Sequence, residues 1–64
     1  MNERLMFVIR AHIELTKAAR AYAEAFTAFL SDGITDTGLA VIERNLGQKA
    51  YAYAEACREA RVKP

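Results

Sequence analysis

The chain has 64 residues, 53% of them hydrophobic, and a formal net charge of +1. This length allows one domain, and the composition is too apolar for a disordered segment. Thirteen alanines against three glycines and one proline favour helix and leave few turn residues for an all-β fold. Cys57 is the only cysteine, so an intrachain disulfide is excluded. The balanced charge gives no strong electrostatic signature of a polyphosphate-binding protein.

The first predicted helix spans about residues 2–31 and carries a seam of residues spaced alternately three and four apart. This spacing is the a/d repeat of a coiled coil, which keeps one stripe turned toward a partner helix. The seam consists of Leu5, Val8, His12, Leu15, Ala19, Tyr22, Phe26 and Phe29. Alanines 11, 18 and 25 flank it and are small enough for another helix to approach closely. A charged face lies on the opposite side, where Glu14 and Lys17 are spaced for an ion pair.

Residues 32–35 form the predicted turn. Gly33 can adopt the left-handed conformation that ends a helix, because it has no Cβ. Either Thr35 or Asp36 can then cap the next helix through its side-chain oxygen. With Thr35 as the cap, Ile34 and Leu39 occupy the two positions of a hydrophobic staple.

The second predicted helix spans about residues 36–62. Its stripe consists of Leu39, Ile42, Leu46, Ala50, Tyr53, Cys57 and Ala60. The step from Leu46 to Ala50 is a stutter that keeps Lys49 out of the seam, and Gly47 leaves room for the Tyr22 ring. The antiparallel register places Tyr22 beside Leu46 and His12 opposite Ala56 and Cys57. The alternative is a break at residues 45–47 with a third helix from Gln48, which is a poor cap.

Two helices of about 40 Å, at 1.5 Å per residue, contact each other along a single line. The first third of the first helix is apolar nearly all round, more than one such contact can cover. A closed two-fold dimer is the commonest way to bury a self-complementary patch. We therefore expect an all-α fold in which a two-helix antiparallel hairpin, a single domain over residues 1–64, dimerises into a four-helix bundle.

No catalytic, metal or cofactor site is expected. His12 lies in the seam near Tyr53 and Cys57, but zinc needs three or four ligands, and the chain has no second histidine or cysteine. We therefore interpret His12 as a hydrogen-bonded interior histidine and Cys57 as a small buried hydrophobe. Without a phosphate loop, a nucleophile–base set or paired inward carboxylates, an enzyme is not expected.

Two patches are predicted to bind another protein. The first consists of Met6, Phe7, Ile9 and Ile13, which carry more apolar surface than the contact between the two helices can bury. The second combines Tyr51 with Arg44 and Arg58, a composition typical of interface anchors, although Tyr51 can also lie flat on its own helix. These patches predict a small non-catalytic module for protein–protein interaction, a homodimeric regulator, inhibitor or adaptor. No apolar run is long enough to span a membrane, and a cytoplasmic location is expected.

The alternative function is nucleic-acid binding. Arg4, Arg10, Lys17 and Arg20 are spread along the first helix, and a two-fold dimer would present them twice. In length, turn position and alanine-rich core, the layout resembles the Rop family of plasmid-encoded helical hairpins. This resemblance implies a dimer that binds paired RNA loops through its first helices.

Overall fold

The structure, a computed structural model, describes residues 2–63. It contains two helices, α1 (Glu3–Leu30) and α2 (Asp36–Ala60), which pack against each other as an antiparallel hairpin of 45 × 15 × 15 Å. The predicted all-helical hairpin is confirmed, and each helix begins and ends within two residues of its predicted bounds. Met1 and Pro64, the ends of the predicted domain, lie outside the described residues.

The end of α1 is closed by a pair of backbone hydrogen bonds. The Gly33 N–H donates to the Ala28 carbonyl at 2.7 Å, and the Asp32 N–H donates to the Phe29 carbonyl at 3.1 Å. This is the Schellman arrangement, which requires one residue in the left-handed region. That residue is Asp32, with φ 59°, whereas Gly33 does not have a positive φ. The prediction for Gly33 is therefore wrong by one residue, because an aspartate tolerates this conformation better than most side chains.

Of the two residues expected to cap the start of α2, Thr35 is the one that does so. The Thr35 hydroxyl oxygen accepts a hydrogen bond from the Gly38 N–H at 3.0 Å, and Ile34 and Leu39 are both half-buried beside it. A Cβ on Gly38 would lie 2.9 Å from Cγ1 of Ile34, so the staple needs a glycine there. From this cap α2 continues through Gln48 without a break, which contradicts the alternative of a third helix.

The face of α1 that packs on α2 is rotated from the predicted seam. Apart from Ala28, the buried or half-buried positions again alternate three and four apart, but they are Val8, Ala11, Leu15, Ala18, Tyr22, Ala25 and Phe29. Ala18 and Ala25 are the buried residues of α1. Leu5, His12, Ala19 and Phe26, the other half of the predicted seam, are exposed in this single chain. Alanine brings the helix axes closer together than histidine or phenylalanine would, so the alanine side of the stripe faces α2.

On the contact face of α2, the regular heptad spacing continues through Lys49. Leu39, Ile42, Leu46 and Tyr53 are half-buried as the stripe requires, but Lys49 is half-buried and Ala50 is exposed. The predicted stutter is therefore wrong at this step. Lys49 is tolerated in the interface because its long side chain reaches the edge, where its ammonium group lies 3.9 Å from Glu14 Oε1.

The register between the helices agrees with the prediction at His12 and differs from it at Tyr22. The His12 ring packs against Tyr53, a residue expected near it, at a centroid distance of 5.7 Å. The Tyr22 hydroxyl donates to Glu43 Oε2 at 3.4 Å, instead of lying beside Gly47. Apart from its two chain neighbours and the backbone of its own helix, no atom lies within 4 Å of the place where a Cβ on Gly47 would stand. The Tyr22 ring therefore does not explain this glycine.

Candidate interaction surfaces

Large apolar side chains remain exposed along α1. Of the first predicted patch, Phe7 is 53% exposed, Ile13 47%, Ile9 43% and Met6 38%. Met6 and Ile13 lie seven residues apart on the outer surface of α1, away from α2. Phe7 and Ile9 lie on the two sides of the hairpin. The structure therefore distributes this patch around α1 and does not gather it on one face.

Phe7 lines a groove between the two helices at the end of the hairpin that is remote from the turn. The groove has a volume of about 260 Å³, and its other lining residues are Arg4, Ala52, Glu55, Ala56 and Glu59. The alanines form an apolar floor, and the glutamates form an acidic rim on α2. At one edge the Arg4 guanidinium donates to the Glu59 carbonyl at 3.4 Å. Sequence reasoning missed the α2 residues of this groove, since finding them required the correct register.

The second predicted patch lies on the outer surface of α2. Arg44, Tyr51 and Arg58 follow one another at seven-residue intervals, and all three are exposed, Tyr51 to 69%. Arg58 pairs with Glu55 one turn earlier. In an antiparallel pair the outer surfaces of the two helices face opposite directions, so this patch and the Met6–Ile13 surface cannot form one site.

The Tyr53 side chain contacts the His12 ring and the Cys57 side chain, but of the three only Cys57 is buried, with none of its surface exposed. Cys57 is the small buried hydrophobe that was predicted. His12 is exposed, so its interpretation as an interior histidine is wrong for the isolated hairpin. A hydrogen bond with the Cys57 side chain, together with desolvation, raises the pKa of Tyr53 above its ordinary value of 10.0.

The basic residues of α1 do not form an open stripe. The Lys17 ammonium group lies 3.6 Å from Glu14 Oε2, one turn earlier, and Arg4 turns toward the end of α2. Arg10 and Arg20 are exposed on other positions of the helix. Exposed ion pairs of this kind contribute little energy, so this arrangement neither supports nor opposes nucleic-acid binding.

The described part of the chain holds neither a metal-binding cluster nor a membrane-spanning helix. Within residues 2–63, no group of three or more histidine, cysteine, aspartate or glutamate side chains is placed to hold a metal ion. Neither described helix has an apolar stretch of the length needed to cross a membrane.

Comparison with known proteins adds no relative to this description. No family model matches the chain, and neither a curated protein nor a solved structure matches it. A function has therefore to be argued from the surfaces described above.

Proposed function

We propose that this chain is a small non-catalytic interaction module, a homodimer that acts by binding another protein as a regulator, inhibitor or adaptor. The observation that carries the proposal is Phe7, an aromatic side chain more than half exposed over an apolar groove. Exposed aromatic residues beside pockets are typical anchors of protein interfaces. A small hairpin gains nothing in its own stability from leaving such a side chain in water.

The groove fits a partner that inserts an apolar side chain beside Phe7. Ala52 and Ala56 leave space at its floor, and the Glu55 and Glu59 carboxylates lie at its rim. The rim also carries the Arg4 guanidinium, and the Glu55 carboxylate pairs with Arg58, so a basic residue of the partner would face the Glu59 carboxylate, which would help to fix its orientation. Met6 and Ile13 extend the apolar contact around the outer surface of α1.

Affinity capture from the native host, read by mass spectrometry, tests the proposal. The baits are the wild type, Phe7→Asp and, as the matched control, Ala21→Asp. Ala21 occupies the heptad position of Phe7 two heptads later and is also exposed, so both variants add one negative charge to the same side of α1. We expect one host protein to be captured by the wild type and by Ala21→Asp, and lost with Phe7→Asp at unchanged helical circular dichroism.

One outcome would contradict the assigned binding site, and another would contradict the function. Capture of the same protein by Phe7→Asp would show that the groove is not the binding site. Co-purification of RNA or DNA that is released by salt and by Arg10→Glu with Lys17→Glu would instead favour the nucleic-acid alternative.

A further inference from the structure

A second uncharged stripe runs along α1 beside the seam that packs on α2. From Ile9 onward, each member follows by one position a residue of α1 that packs on α2, and Leu5 continues the same spacing toward the start of the helix. The spacing again alternates four and three. The large members lie toward the two ends of the helix: Leu5 is 39% exposed, Ile9 43%, Phe26 41% and Leu30 69%. The central members, also exposed, are His12, Thr16, Ala19 and Ala23. An unbroken heptad stripe of this length on a solvent-facing surface is typical of a helix with a second partner.

A stripe of small residues continues the same surface on α2. Because the helices are antiparallel, a residue that follows a seam residue by one position lies on the same side of the hairpin in both helices. On α2 these residues are Ala40, Glu43, Gly47, Ala50 and Ala54. Together the two stripes form what we call the second face. Glu43 is its one formally charged residue, and the Glu43 carboxylate accepts a hydrogen bond from Tyr22.

The opposite side of the hairpin differs in charge. The residues that precede the α1 seam positions by one include Arg10, Glu14, Lys17 and Glu24. Only the second face therefore combines several large apolar residues, small residues and near-absence of charge. Gly47 lies on it, and glycine inside a helix costs about 1 kcal/mol relative to alanine. Since no contact within the hairpin requires Gly47, its small size is explained by a close neighbour outside the hairpin.

We infer that the second face is covered by the same face of a second copy of this chain. The hairpin exposes 4985 Å², whereas a compact monomer of its 7.1 kDa exposes about 4,100 Å². The excess of about 900 Å² matches the roughly 800 Å² that each partner contributes to a standard interface. Large residues on α1 and small residues on α2 make the face self-complementary, since one copy's Leu5 and Phe26 can pack over the other copy's alanines.

This inference rests on the homodimer of the proposed function and divides the surface between two tasks. Leu5, Ile9 and Phe26 belong to the dimer, so Ile9 is removed from the predicted protein-binding patch. Phe7 and the groove that it lines are on the other side of the hairpin and stay open to another protein. The exposed half of the predicted seam, His12 and Ala19 included, is then the dimer seam.

Two matched pairs of alanine variants test the assignment. Ala19→Glu and Ala50→Glu place a carboxylate on the second face, and Ala21→Glu and Ala52→Glu place it on the opposite side. All four alanines are exposed in the single chain, so within each helix the pair shares residue type, exposure class and added charge. We expect light scattering after gel filtration to give a dimer for the wild type, Ala21→Glu and Ala52→Glu. For Ala19→Glu and Ala50→Glu we expect the dissociation constant to rise at least a hundredfold.

The possible results distinguish failure of the second face from failure of the proposed function. If Ala19→Glu unfolds as it dissociates while Ala21→Glu stays folded and dimeric, the result also supports the face. If all four variants remain dimers, or only the Ala21 and Ala52 variants dissociate, the face is wrong and the dimer stands. A wild-type monomer overturns both face and dimer, but capture of a host protein through Phe7 would still stand.

Discussion

Asp32 and Arg61 are the non-glycine residues with positive φ in the part of the chain that the structure describes, both at 59°. Each follows the end of a helix and closes it by the same pair of backbone hydrogen bonds. The left-handed conformation costs an L-residue about 1–2 kcal/mol, which glycine avoids at a smaller entropic cost. The chain therefore retains side chains where glycine would be more stable.

For Asp32→Gly we expect the free energy of unfolding to rise by about 0.5–1 kcal/mol. The control is Ser31→Gly in the same turn, where φ is −102°, so glycine adds backbone freedom and also removes the hydrogen bond from Ser31 Oγ to the Thr27 carbonyl. We expect this control to lower stability. Urea denaturation followed by circular dichroism measures both, and a loss of stability in Asp32→Gly would contradict the assigned turn conformation.

The ionisation of the Tyr53 phenol depends on the surroundings of that side chain. Its pKa is raised by a hydrogen bond with Cys57, so the folded chain holds the phenol proton more tightly than the unfolded chain. This contribution to stability is complete below the ordinary pKa of 10.0 and is lost as the pH rises through the folded-state value. We expect the hairpin to lose stability in alkali for this reason.

Ultraviolet titration tests this, in a background of Tyr22→Phe and Tyr51→Phe that leaves Tyr53 as the only tyrosine. We expect ionisation above pH 10.0 and a return toward this value in Cys57→Ala, which removes the largest cause of the shift. An unchanged titration in Cys57→Ala would show that the thiol has no part in the shift.

At the scale of the helices, the sequence predicted the two elements, their approximate ends and a cap at Thr35 or Asp36, because these depend on local propensity and side-chain capping. It did not predict which side of α1 faces α2. Val8, Leu15, Tyr22 and Phe29 belong to two overlapping heptad stripes, one completed by alanines and the other by larger residues. Spacing cannot choose between these stripes, since the choice depends on how closely the two helix axes approach. The wrong placement of Tyr22 beside Gly47 has the same origin.

Lys49 shows the energetic consequence of the observed register. Its side chain is 39% exposed and pairs with Glu14 at 3.9 Å, a half-exposed ion pair worth at most about 1 kcal/mol. A leucine at this heptad position would bury apolar surface against α1. We expect Lys49→Leu to raise the free energy of unfolding by about 0.5–1 kcal/mol. Lys49→Glu, which faces Glu14, should lower it.

Thermal and urea denaturation of both variants check this expectation. Gln48→Leu is a suitable control, because Gln48 is the exposed neighbour and gains no contact with α1. A substantial loss of stability in Lys49→Leu would show that Lys49 does not lie in the interface.

At the scale of the whole molecule, the hairpin buries little of its surface. An unfolded chain of 7.1 kDa exposes about 10,300 Å², so the 4985 Å² that remain mean that about half is buried on folding. Domains of this size that fold alone bury about 60%. Two antiparallel helices share one line of contact, and no change of register within the hairpin can supply the difference. The proposed second copy on the second face would supply it.

Folding and association should therefore be one transition, and the melting temperature should depend on protein concentration. For a dimer of two such chains, a tenfold increase in concentration stabilises the folded state by about 1.4 kcal/mol, which raises the melting temperature by about 5 °C. Melting curves over a hundredfold concentration range measure this slope for the wild type and for Ala21→Glu. Melting temperatures independent of concentration would show that the hairpin is stable alone, with its apolar second face in water.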